Sequence, residues 1–125
     1  MRRPPRLFAL SLLVLAAAAG PALAQDAAAG GAFFKQRCQT CHTVTPGQAP
    51  SLAPNLFGVV GRKAASTPFG YSTALKASGL TWDKATLDIF LTSPMKMVPG
   101  ARMLIPVSDP KQRADLIAYL ASLKK

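Results

Sequence analysis

The chain has 125 residues, half of them hydrophobic, and carries 15 Lys and Arg against 5 Asp and Glu, a formal charge of +10. That length leaves room for one domain, and so basic a chain is suited to acidic partners or surfaces. With two cysteines and one histidine in total, the nitrogen and sulfur ligands are too few for the four that a structural zinc site takes.

The N-terminus begins MRRPPR, continues LFALSLLVLAAAA and ends GPALA. A basic start, an apolar stretch and the small-x-small end Ala22-Leu23-Ala24 predict a secretory signal peptide over residues 1–24, cleaved after Ala24. A membrane anchor is the competing reading, but the apolar run falls short of the ~20 residues that a span needs. No later stretch could cross a bilayer. Residues 25–125 then form the mature domain, in which 12 basic residues face 5 acidic ones, a charge of +7. A domain of that size is marginal for an apolar core alone. A disulfide, a metal or a large cofactor would supply the missing stability.

Asp26 caps a first helix that runs to Arg37. Gly30 and Gly31 lie inside it, and each costs about 1 kcal/mol relative to Ala. Either a second helix crosses close by, or the helix begins in earnest at Ala32. From Thr43 to Tyr71 the chain shows little periodicity and is broken by Pro46, Gly47, Pro50, Pro54, Gly58, Gly61, Pro68 and Gly70. So long an irregular stretch in a small domain signals a function, such as wrapping a bulky cofactor. Ser72 to Ser78 reads as a short helix stopped by Gly79. Thr81 then caps a stronger one, Trp82 to Leu91, which Ser93-Pro94 ends. Met95 to Val107 reads as extended and loop-like. Asp109 caps the last helix, Pro110 fits its first turn, and Leu116, Ile117, Leu120 and Leu123 recur at helical spacing. No stretch alternates as a strand would, so the expected class is all-α.

The sequence CQTCH, from Cys38 to His42, holds every cysteine and histidine of the chain. C-x-x-C-H points to covalent attachment of one haem c. Each thiol can add across a vinyl group to form a thioether, and the adjacent histidine can ligate the iron. A thioredoxin-like dithiol would require a βαβ setting, and a disulfide between cysteines three apart would close a strained loop. With a single imidazole, bis-histidine ligation within the chain is ruled out. The sixth position is then Met, Lys, water or empty, and Met/His ligation is the familiar electron-transfer pair. Apart from Met1, the methionines are Met95, Met97 and Met103. Composition does not choose among them, and core gap-filling accounts for two of the three.

Taken with "APNLFGVVGRK", "GYSTALKASGLTW", "SPMKMVPGARM" and "DLIAYL", in that order, the motif resembles the class I c-type cytochromes over Gly30 to Leu120. The resemblance implies an all-α cytochrome c fold of three to five helices around one covalently bound haem. It selects Met103 as the distal ligand opposite His42. It makes the Pro54 carbonyl the acceptor for the other ring N–H of His42, and Arg62, Tyr71 and Trp82 the donors to the haem propionates. It also sets Gly30 and Phe34 against the last helix, near Leu116 and Tyr119. Phe90, Leu75 and Ile105 depart from the family's best-known members, which carry a tyrosine, a polar residue and an aromatic at those places.

With His42 and Met103 on the iron, the site is closed to exogenous ligands and suits outer-sphere transfer rather than catalysis. The implied function is a periplasmic carrier, monomeric, that shuttles single electrons between partners of a respiratory or photosynthetic chain. Lys35, Arg37, Lys96 and Arg102 are expected to ring the haem edge, widened by Lys63, Lys76 and Lys111. Acidic redox partners, such as membrane reductase, oxidase or reaction-centre complexes, would meet that ring, with a peripheral membrane encounter. The alternatives are a haem c subunit of a larger oxidoreductase, or a haem enzyme or ligand sensor with a labile sixth position. Nucleic acid binding fits poorly, since the chain is read as exported and has no recognisable module.

Overall fold

Asp26 and Asp109 start the two longest helices by the same device. Each carboxylate accepts a backbone N–H of the first turn, from Ala29 at 3.0 Å and from Gln112 at 2.9 Å. The computed structural model describes residues 25–124, so the signal peptide read over residues 1–24 lies outside the described residues. Five helices follow in order: α1 (Ala27–Arg37), α2 (Thr73–Ala77), α3 (Lys84–Thr92), α4 (Pro94–Met97) and α5 (Pro110–Ser122). Among the described residues there is no strand beyond an isolated antiparallel bridge between Lys63 and Thr81. None of these helices is long and apolar enough to cross a membrane.

α1 and α5 cross in close contact. α1 buries Gly30 and Phe34, and α5 buries Asp115, Leu116, Ile117 and Leu120. A Cβ built on Gly30 would stand 1.9 Å from the Asp115 carbonyl oxygen, so the crossing has no room for any side chain there. Gly31 meets only the Tyr119 ring, at 3.2 Å. The glycines therefore reflect the close crossing and not a frayed start, and only Gly30 is obligatory. Phe34 packs on Tyr119 with ring centroids 5.6 Å apart. The Asp115 carboxylate adds a polar tie, accepting the Asp26 N–H at 2.9 Å and Lys111 Nζ at 2.6 Å.

Two sequence expectations are corrected. α3 begins at Lys84, with Asp83 rather than Thr81 as its cap, accepting the Thr86 N–H at 2.7 Å. Trp82 is drawn out of the helix because its backbone pairs with the preceding loop. Its N–H donates to Arg62 O and its carbonyl accepts the Gly61 N–H, each at 2.8 Å. Likewise Pro94 does not simply end a helix; it opens α4 at the N1 position, where its missing N–H costs nothing.

α3 packs on both α5 and α4, burying Leu87, Phe90 and Leu91. Arg113 of α5 reaches Asp88 of α3 at 2.8 Å and the carbonyls of Val107 and Ser108 at 3.0 and 2.9 Å. The segment before α5 is thereby pinned to the helix frame. Val107 N–H also donates to Leu91 O at 2.7 Å. The 98–108 loop, which carries Met103, is thus anchored at its far end.

Candidate cofactor site

The end of α1 delivers the first cysteine. Cys38 is its C-cap, with its N–H on Phe34 O, and a tight turn follows in which Cys41 N–H and His42 N–H both donate to Cys38 O, at 3.1 and 2.9 Å. That turn brings the two thiols and the imidazole to one side. Neither cysteine is in a disulfide. Burial pushes the Cys38 thiol up, against the opposing influence of Arg37, which keeps it from the thiolate form that a redox dithiol would need.

His42 Nδ1 lies 2.8 Å from Pro54 O. A carbonyl can only accept, so Nδ1 carries the proton and, in the neutral ring, Nε2 holds its lone pair. Burial pushes the His42 pKa down, opposed by that hydrogen bond, so the ring is neutral at neutral pH. The imidazole is therefore set in the tautomer that a metal ligand requires.

A cavity of about 460 Å³ opens between these elements, within the range usual for a cofactor. Its walls are mostly apolar and include Leu56, Val59, Leu75, Phe90, Leu116 and Leu120. Cys38, Cys41, His42, Pro54, Arg62, Tyr71, Trp82 and Met103 all line it, so the residues assigned to attachment, ligation and hydrogen bonding of the cofactor come together. Met103 is the only methionine among the described residues to do so. Met97 packs against the core, and Met95 is 44% exposed, where a core role was expected.

The polar groups are held individually. The backbone pairing that excludes Trp82 from α3 sets Trp82 beside Arg62. Arg62 donates from Nη1 to Phe57 O at 3.1 Å and from Nη2 to Asn55 O at 3.0 Å. Burial lowers its pKa, yet a guanidinium stays charged, and among the described residues its remaining N–H groups have no protein acceptor, which leaves them for a carboxylate. The Tyr71 hydroxyl is hydrogen-bonded to Thr67 Oγ1 and its ring is edge-on to Phe69 at 5.2 Å. Trp82 is buried and edge-on to Phe90 at 4.9 Å. Among the described residues no protein acceptor takes its indole N–H. Phe90 thus serves as a packing partner for Trp82.

The mouth of the cavity is apolar with a basic fringe. Leu52, Leu104 and Ile105 line it while 75%, 68% and 47% exposed. Arg37, Lys63 and Arg102 line it too, and Arg102 is held by Gly70 O at 2.6 Å. Lys111, expected to widen the ring, is instead paired with Asp115 beside the start of α1.

This donor set fits a covalently attached haem: two thiols one turn apart, a neutral imidazole, a thioether, an apolar wall and hydrogen-bond donors suited to carboxylates. Among the described residues no three or more His, Cys, Asp or Glu converge as a metal cluster. Sequence reasoning missed Asn55 and Thr67. Asn55 accepts the Phe57 N–H through Oδ1 at 2.9 Å, an Asx turn that its place after a proline could have signalled. Thr67 carries no comparable signal.

Comparison with known proteins agrees with this chemistry. The family model for cytochrome c matches residues 27–124. Cytochrome c2 of Rhodomicrobium vannielii is 48% identical over 101 residues, covering 79% of this chain and 80% of the relative. Cytochrome c2 of Blastochloris viridis is 40% identical over 117 residues, covering 92% and 91%. The solved structure of cytochrome cH from Methylobacterium extorquens superimposes with a TM-score of 0.72 at 46% identity, over 78% of this chain and 98% of that one.

The chain belongs to the cytochrome c family. It has the all-α cytochrome c fold, carries one covalently bound haem c, and is an electron carrier rather than an enzyme.

Proposed function

We propose that the chain is exported and works as a diffusible, monomeric carrier of the periplasm, passing single electrons between partners of a respiratory or photosynthetic chain. The observation that supports this reading is the convergence of Cys38, Cys41, His42 and Met103 on one apolar cavity, with Arg62, Tyr71 and Trp82 on its wall. When bound, haem c supplies an iron that cycles between ferrous and ferric states.

The residues take the following roles. Cys38 and Cys41 would hold the group through thioether links, and His42 Nε2 and the Met103 thioether would ligate its iron. Pro54 O keeps the His42 ring in one orientation and adds to its basicity. Arg62, Tyr71 and Trp82 would donate to the propionates, whose burial requires paired donors. The apolar wall excludes water and so limits rearrangement on electron transfer. Exposed Lys35, Arg37, Lys63, Lys76, Lys96 and Arg102 form the face that meets acidic redox partners.

The ligand assignment is tested by two substitutions in the haem-loaded protein. Met103→Ala should abolish the weak thioether-to-ferric charge-transfer band and open the reduced protein to carbon monoxide at neutral pH; Met97→Ala should do neither. The reverse pattern would overturn the assignment. Gel filtration of a native periplasmic extract tests the diffusible state, which elution only within a large complex would contradict.

A further inference from the structure

Pro54 accepts the His42 ring proton, but a carbonyl holds a direction only if its peptide plane is held. The segment is fixed along its length by two backbone bonds that flank His42: Ala53 N–H to Cys41 O at 3.0 Å and Leu56 N–H to Thr43 O at 2.8 Å. These set its distance from the attachment motif. They leave open the rotation of the plane shared by the Pro54 carbonyl and the Asn55 nitrogen, which moves as one rigid unit.

Asn55 closes that freedom. Its Nδ2 donates to Thr45 O at 2.8 Å and Gln48 O at 2.9 Å, while its Oδ1 accepts the Phe57 N–H at 2.9 Å. Its own carbonyl accepts Arg62 Nη2 at 3.0 Å. The residue next to Pro54 is thus tied to the 45–48 loop on one side and, on the other, to an arginine of the cavity wall. The side chain must donate twice and accept once at short reach, which Asn does and Asp, Leu or Ser cannot.

We propose that Asn55 is a positioning residue for His42, holding the Pro54 carbonyl in line with the ring N–H and so tuning the proximal ligand. The proposal rests on the reading of His42 as that ligand. A firm hydrogen bond from Nδ1 strengthens Nε2 as an electron donor and favours the ferric state. Releasing Asn55 weakens the bond, raises the reduction potential and lets the ring proton exchange.

The test uses the haem-loaded protein and its Asn55→Leu, Asn55→Ser and Gln48→Ala variants. Gln48 contributes only backbone groups to the network, its carbonyl to Asn55 Nδ2 and its N–H to Thr45 O, so Gln48→Ala is the neutral control. Ring-current-shifted His42 resonances in the reduced wild-type protein establish ligation first; their absence would overturn the ligand reading itself, and this inference with it. Given ligation, Asn55→Leu, which loses all three side-chain hydrogen bonds, should speed exchange of the His42 Nδ1–H by about tenfold or more, and should raise the potential. Asn55→Ser, which retains an acceptor for Phe57 N–H, should fall between Leu and wild type, and decides the matter if the Leu variant does not accumulate. Lower stability with wild-type exchange and potential would reduce Asn55 to an ordinary loop anchor and overturn the proposal.

Discussion

The α-carbon of Gly30 faces the carbonyl of Asp115 so closely that a methyl group at that position would lie 1.9 Å from the oxygen. The obstruction is helix backbone, which cannot rotate aside as a side chain could. Gly30 therefore sets the distance between α1 and α5, and with it the placement of Cys38 at the end of α1.

Gly30→Ala should lower stability by about 2 kcal/mol or more through overpacking, although Ala is the better helix former by about 1 kcal/mol. Gly31→Ala meets only the Tyr119 ring at 3.2 Å, which can yield, so its effect should stay within about 1 kcal/mol. Guanidinium unfolding of both haem-loaded variants measures the contrast. Equal effects would argue against the backbone crossing as the cause.

Ala65 is the only non-glycine with a positive φ among the described residues, at 55°, and it lines the cavity. The left-handed region costs an L-residue about 1–2 kcal/mol, while glycine raises the unfolded chain's entropy by about 0.4–1 kcal/mol. Ala65→Gly should therefore stabilise the fold by about 0.5–1 kcal/mol, read from the denaturant midpoint. Destabilisation would show that the Ala65 methyl group contributes more than its strained backbone costs.

Lys111 and the Asp26 N–H hold the Asp115 carboxyl below the usual carboxylate range, with Lys111 the larger influence. The folded protein thus binds this proton less readily than the unfolded chain. The stability it contributes is complete above the ordinary carboxylate pKa of about 3.9 and is lost as pH falls through the lower folded value. The stability difference between wild type and Asp115→Asn should be constant from neutral pH down to about 4–5 and shrink below it. Urea unfolding across the acid range tests this; a difference that persists at the lowest pH would sink the ion-pair explanation.

The basic fringe at the cavity mouth predicts steered association. Electron-transfer rates with an acidic redox protein should fall steeply as salt rises, because the Debye length shrinks to about 8 Å at physiological ionic strength. Arg37→Ala and Lys63→Ala should each flatten that dependence, whereas Lys111→Ala, whose charge is paired with Asp115, should leave it unchanged. Stopped-flow rates over a range of salt concentrations decide the point. Salt-independent rates would remove the basic face from the account.

What the amino-acid order determined by itself is what acts between near neighbours in the chain. The C-x-x-C-H spacing, the caps at Asp26, Ser72 and Asp109, and the periodic apolar residues of α5 are interactions within a turn or two, so they are readable before anything folds. Met103 was selected over Met95 and Met97 through likeness to a family and not through composition. Local rules also misplaced the start of α3, because Thr81 and Asp83 are both good caps and only the pairing of Trp82 with Arg62, 20 positions away, excludes the first. The tertiary structure alone decided which methionine lines the cavity, that Lys111 is paired, that Gly30 rather than Gly31 is obligatory, and that Asn55 and Arg62 brace the loop of Pro54. These are contacts between segments brought together by chain closure, and their geometry depends on how the helices cross.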